Sequence, residues 1–187
     1  MYKYLIVSIL SFFLVSCQTK DSSQNKAVIK PFYDIKGFFN GEIKRLTDGG
    51  MTIQKTVSVN GKKETQVIEK PNFEEELKMF MASDINRPAW TDKYFVKETQ
   101  VGNHGFKYEY WSKDKNLRTK KIIVDEIYGN VNKTIEILNS DNSVVTETEA
   151  HLFYDINSGY KISTSQKLVS LIDSVSIEVV FLKHIFN

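Results

Sequence analysis

The chain has 187 residues, 25 lysines and arginines against 23 aspartates and glutamates, a formal net charge of +2, and 12 phenylalanines beside 9 tyrosines. Charges of both signs are interspersed, so no basic patch offers the electrostatic footprint of a nucleic-acid binder. A single cysteine excludes an internal disulfide and a multi-thiolate metal site, and leaves stability to packing.

Met1, Tyr2 and Lys3 form a short basic start, and Tyr4 to Phe13 is an apolar run broken only by Ser8 and Ser11. This is the pattern of a secretory signal. Roughly ten apolar residues cannot span a hydrocarbon core that takes about 20 helical residues. The ending Leu14, Val15, Ser16, Cys17 resembles the lipobox of bacterial lipoproteins, which implies removal of residues 1–16 as a signal peptide and lipidation of Cys17 as the mature N-terminus. Each buried methylene adds about 0.8 kcal/mol, so two or three acyl chains on one residue hold a protein on a membrane for good. Gln18 to Lys30 is polar and predicts a flexible tether behind the lipidated cysteine, with an r.m.s. span of roughly 20 Å. Residues 31–187 then form one globular domain of ordinary size.

Asp34 is a good N-cap, and Ile35, Phe38, Phe39, Ile43 and Leu46 recur at helical spacing until Gly49 and Gly50. Gly37 and Gly41 lie on the opposite face, at a cost of about 1 kcal/mol each relative to alanine, and leave that face either closely approached or simply exposed. Met51, Ile53, Val57 and Val59 alternate along a strand in which Lys55 is the exception, and Asn60–Gly61 predicts a two-residue hairpin turn with a return strand to about Glu69. Asn72 caps a second helix whose buried stripe is Phe73, Leu77, Phe80, Met81 and Ile85, with Glu74, Glu75 and Glu76 at the positive end of its dipole and Pro88 at its end.

Seven strand-like runs follow: Tyr94–Val101, Phe106–Trp111, Leu117–Ile127, Val131–Leu138, Val144–Tyr154, Tyr160–Val169 and Val175–Leu182, with Gly, Asn, Asp and Ser at nearly every break. No internal repeat is evident. Helices confined to the N-terminal half and about nine strands give an α+β fold, two helices and a β-hairpin on a large curved antiparallel meander. So long a sheet, covered by so little helix, is expected to curl into a half-barrel or partly closed barrel.

Phe73, Glu76, Leu77 and Phe80, followed by Asp84, Ile85, Asn86, Arg87, Pro88 and Trp90, resemble a signature of uncharacterised outer-membrane lipoproteins of Bacteroidota, with Arg87 where that group has lysine. Tyr160, Lys161 and Ile162 with Gln166, Lys167 and Leu168 resemble a recurring strand of the same group. The resemblance implies a lipobox, helix, hairpin, helix and meander, and no activity.

Signals of chemistry are sparse. His104, His151 and His184 have no metal-ligand spacing, and neither GxGxxG, a P-loop nor GxSxG occurs, so no cofactor or metal is expected. His151 shares a strand face with Glu147 and Glu149, an acid and base pair if a cleft formed there and a solvated strand face otherwise. Asp84, Asn86, Arg87 and Trp90 form a candidate corner for a partner or ligand, set against a plain helix-end turn. Phe106, Tyr108 and Tyr110 share a face and read as sheet core, with stacking on a ligand the rival. Asp173, Ser174, Val175 resembles the short O-glycosylation sequence of Bacteroidota, with Ser174 at a predicted turn.

The leading expectation is a non-enzymatic outer-membrane lipoprotein, anchored by lipid on Cys17 and facing the periplasm. Its curved sheet would bind a hydrophobic or extended ligand, similar in outline to carriers and acceptors of the LolA and LolB type. The alternatives are an interaction or assembly subunit of an envelope complex and, third, an envelope hydrolase using His151.

Overall fold

A computed structural model describes residues 32–127, 132–168 and 171–182; the signal sequence, Cys17, the tether and His184 lie outside them. Helix α1 spans Ile35–Asp48, and Asp34 caps it by accepting from the Gly37 amide at 2.8 Å. Ile35, Phe39 and Leu46 are fully buried as their spacing requires. The stripe faces a sheet; on the glycine face a Cβ added at Gly41 would meet nothing within 4 Å, whereas one at Gly37 would run into the capping Asp34 carboxylate. Gly41→Ala is therefore expected to raise stability by about 1 kcal/mol in a urea melt.

Strands β1 (Thr52–Val59) and β2 (Lys62–Ile68) pair antiparallel around Asn60 and Gly61, both with positive φ as the favoured hairpin turn requires. Two single turns, α2 (Phe73–Glu76) and α3 (Lys78–Met81), and a short 3-10 helix at Pro88–Trp90 then carry the chain to β3 (Tyr94–Val101). Continuous helix was expected here. It breaks at Leu77, which keeps its buried position with φ −99 and ψ 5, because Glu76 turns toward the sheet.

The remaining strands are β4 (Gly105–Ser112), β5 (Thr119–Ile127), β6 (Asn132–Asn142), β7 (Thr146–Asp155), β8 (Gly159–Leu168) and β9 (Leu171–Leu182). All nine form one antiparallel sheet in the order β2-β1-β9-β8-β7-β6-β5-β4-β3. The α+β class and the meander are those expected, but the sheet does not close into a barrel: β2 and β3 stand at opposite edges and do not pair. The chain leaves one edge at β2 and re-enters at the other edge, so the segment between them crosses a sheet roughly 40 Å wide at about 4.8 Å per strand. That crossing, together with α1, covers one face and leaves the other open.

The covered face is an aromatic core. Phe39 lies 4.9 Å from Phe80 and 5.1 Å from Tyr154 between ring centroids, and Phe80 touches Tyr160 at 5.9 Å. Tyr110 is buried and Tyr108 half-buried beneath Phe32 and Tyr33, so these two β4 aromatics belong to the core as their alternation suggested, while Phe106 is half-buried and stacks on Tyr108 at 6.2 Å.

Three tyrosines are tied to carboxylate and cation partners within this core. Tyr154 donates to buried Glu42, which Arg45 holds through two bonds of 2.8 and 2.7 Å while also reaching the Ile156 carbonyl at 3.1 Å. Tyr160 donates to Glu76, and the Lys55 ammonium bonds both Glu76 oxygens at 2.7 and 2.9 Å. Lys133 donates to the Tyr33 hydroxyl at 2.9 Å and pairs with Glu126 at 2.8 Å. Burial alone would lower the Lys133 ammonium, but the bonds to Glu126 and Tyr33 outweigh it and leave it raised.

Burial pushes the phenols of Tyr154 and Tyr160 far above their ordinary range, reinforced by the carboxylates that accept from them. It pushes Tyr94 up to about 12, and raises Tyr33 and Tyr110 as well. In the unfolded chain a phenol titrates near 10. The stability these neutral phenols supply is therefore complete below about pH 10 and is lost as pH climbs toward the folded-state values. An absorbance titration should show these five tyrosines ionising above the ordinary phenol range, together with loss of the circular dichroism signal.

Candidate functional site

The open face of the sheet carries an extended surface feature that several strands build jointly. Registers align Lys121, Leu138, His151, Ser163, Ser176 and Ser58 in a row across β5, β6, β7, β8, β9 and β1. Five gaps of about 4.8 Å make this row roughly 24 Å long. Beside it runs a second row, Ile123, Glu136, Phe153, Lys161 and Glu178.

Two adjoining hollows follow the rows. One, of about 290 Å³, has Leu138 and Phe153 as apolar lining and Lys121, Glu136 and Lys161 as charged lining. The next, of about 200 Å³, is lined by hydroxyls, among them Ser58, Ser165, Ser174 and Ser176. His151 and Ser163 line both. Small serine side chains between larger neighbours leave the depression. Phe153 stays 40% exposed at its floor, an apolar contact that the fold itself does not use up.

His151 donates through Nε2 to the Glu149 carboxylate at 2.7 Å, and both side chains are more than half exposed. The shared strand face of Glu149 and His151 was legible from their spacing. Ser163 stands directly across from His151, which assembles a serine, an imidazole and a carboxylate on one surface. The Ser163 hydroxyl instead has the Ser176 hydroxyl at 3.4 Å. The neighbouring backbone amides belong to the antiparallel ladder, so they do not converge on one point as donors to a developing oxyanion must. This arrangement suits recognition: it can hydrogen-bond, pair charges of either sign and stack on one ring. Among the described residues no group of three His, Cys, Asp or Glu could hold a metal ion, and no helix is long and apolar enough to cross a membrane.

The corner at residues 84–90 splits in two. Asn86 accepts from the Phe32 amide at 3.2 Å and donates to the Tyr33 carbonyl at 2.9 Å and to Asp84 at 3.2 Å. Asp84 and Asn86 thus clamp the segment leading into α1, a long-range contact that spacing along the chain does not reveal. Arg87 is exposed, its guanidinium 4.3 Å above the ring of Trp90, which is itself half-buried against the core.

Ser174 is exposed, but it is not in a turn. It lies within β9, opposite Ser165; its amide donates to the Asn60 side-chain oxygen and its carbonyl accepts from the Asn60 amide, both at 3.0 Å. The Asp173–Ser174 turn preference gives way to pairing with β8, which begins β9 at Leu171 instead of Val175.

A second cleft, about 500 Å³ and wider open, lies between α1 and residues 71–74. Of its charged side chains Lys44, Asp48 and Glu74, the first two pair with each other across one helical turn. No protein family, curated protein or solved structure matches the chain significantly.

Proposed function

We propose that this protein is a lipid-anchored, non-enzymatic lipoprotein of the bacterial envelope that holds an extended ligand along the open face of its sheet. The observation that supports this reading is the trough itself, six strands wide, with a phenyl floor at Phe153, hydroxyls at one end and charges of both signs at the other. The LolA and LolB outline would seat an apolar ligand between sheet and helices. Here Phe39, Phe80 and Tyr154 fill that space, which favours the extended ligand over the apolar one. The anchor and the outer-membrane location rest on the signal pattern ending in Cys17.

A full-length Cys17→Ser chain, expressed with its export signal and purified without detergent, tests the reading by native mass spectrometry. A discrete additional mass is expected, lost in Phe153→Ser, with a smaller drop in melting temperature than a fully buried ring would give because that ring is 40% exposed. A clean apo mass, or a bound mass indifferent to Phe153→Ser, would overturn it.

A docking role on an envelope complex is favoured by one feature, the exposed Arg87 stacked on the half-buried Trp90, since arginine and tryptophan dominate energetic centres of protein interfaces. Loss of crosslinked partners in Arg87→Ala would support that reading.

A further inference from the structure

The trough continues past its hollows. Registers carry the row of Lys121 onward to Trp111 in β4 and Phe95 in β3, the outermost strand. Two further strand gaps lengthen the row to roughly 34 Å. Trp111 is half-buried on the open face, and Phe95 is 60% exposed. Lys113 reaches back to set its ammonium 4.9 Å from the Phe95 ring while it bonds the Asp92 carbonyl at 3.0 Å. Phe153, Trp111 and Phe95 thus lie along one line of strands, and none of the three belongs to the aromatic core.

The polar side chains of this track narrow the ligand class. Phe153 sits between Glu136 on one neighbouring strand and Lys161 on the other, which stand about 10 Å apart across the ring. Lys121, Glu136 and Lys161 take part in no ion pair among the described residues. Along the track Lys113, Lys121 and Lys161 balance Glu136, Glu149 and Glu178, so a polyanion such as a nucleic acid would set its phosphates against three carboxylates. The row crosses the strands in the direction of the ladder, whose hydrogen bonds engage the main chain beneath it, and an extended peptide laid there would lack the main-chain partners it depends on. A hydrocarbon chain would desolvate unpaired charges at each step. A sugar chain meets none of these obstacles. Each of its hydroxyls both donates and accepts, so ammonium, carboxylate and serine hydroxyl can be satisfied in turn, and the C–H face of a pyranose ring lies flat on an aromatic one.

We propose that the ligand of the open face is an uncharged glycan chain that runs across the strands, a reading that rests on the trough being the ligand site and extends that site over β4 and β3. One sugar ring stacks on Phe153, with Glu136 and Lys161 at opposite rims taking its hydroxyls through charge-assisted hydrogen bonds. Towards β1 the serine-lined hollow holds the next sugars by their hydroxyls. In the other direction Lys121 leads to Trp111 and Phe95, a second stacking platform at the margin of the sheet. Contacts spread over this length hold a chain without a deep pocket.

The test runs the full chain with Cys17→Ser through native gels that each contain one dissolved polysaccharide: hydroxyethyl cellulose, xylan, galactomannan or dextran. Slowed migration in at least one gel is expected, with affinity reduced about tenfold in Phe153→Ser and in Trp111→Ala, the scale of one anchoring ring. Glu136→Gln and Phe95→Ala, both at exposed side chains, should weaken binding with little change in melting temperature. Trp90 and Trp111 are the only tryptophans, so Trp90→Phe leaves Trp111 as the sole indole, and its emission should shift when the retarding polysaccharide is added. Unchanged migration in all four gels, retardation that survives both Phe153→Ser and Trp111→Ala, or retardation by polyuridylate in place of the polysaccharides overturns the proposal. The trough itself is judged separately: a bound mass lost in Phe153→Ser that fragments without sugar units keeps the trough as the ligand site and removes the glycan.

Discussion

Truncating Phe80 to alanine will destabilise the domain by about 3–5 kcal/mol, the range for large aromatic side chains removed from a close-packed core. Phe80 has no exposed surface and is the one side chain of the crossing segment that touches Phe39 of α1, Tyr154 of β7 and Tyr160 of β8. Its removal would leave a hole where helix, crossing segment and sheet meet, and none of those three can collapse inward without losing contact with the other two. A urea titration followed by tryptophan fluorescence checks this, since Trp90 and Trp111 lie on different parts of the structure. A loss below about 1 kcal/mol would mean that the crossing segment repacks as a loose strap. Phe38, half-buried, serves as the comparison, with a smaller expected loss.

The second large effect is expected at Lys55. Its ammonium is the cation bonded to Glu76, whose side chain is only 14% exposed. Lys55→Ala leaves that carboxylate nearly buried with the Tyr160 hydroxyl as its remaining donor, and a buried charge deprived of its partner costs about 3 kcal/mol or more. Glu76→Leu together with Lys55→Met should cost much less, because removing both charges also removes the desolvation penalty. The double-mutant cycle therefore ought to show strong coupling. If the single and double replacements cost the same, the ion pair contributes nothing and packing of the lysine stem accounts for the loss.

This pair also shows where local pattern stops being informative. Lys55 breaks the apolar alternation of β1, and that break is the trace of Glu76 in the sequence, some 20 residues later. Read locally, Glu74, Glu75 and Glu76 look alike at the start of a helix. Glu75 does stay outside, 3.4 Å from Lys78, whereas Glu76 is drawn in by Lys55 and Tyr160, and the helix is cut at Leu77 as a result. Strand existence, the Asp34 and Asn72 caps and the Asn60–Gly61 turn depend on neighbours in the chain, so they were readable. Barrel closure depends on whether β2 and β3 meet, and neither strand carries that information. The trough was partly readable: Glu149 and His151 share a face by spacing, but Ser163, Ser176 and Ser58 join them only through pairings between distant segments.

One pairing has consequences in time as well as space. β1 is held between β2 and β9, the first strands of the domain against the last. The hairpin and everything that leans on it can find their place only after residue 182 has been made, and contacts between such remote segments form slowly. During synthesis the chain accumulates meander strands with no permanent margin on the β8 side. It stays unfinished until β9 has been made and has paired with β1.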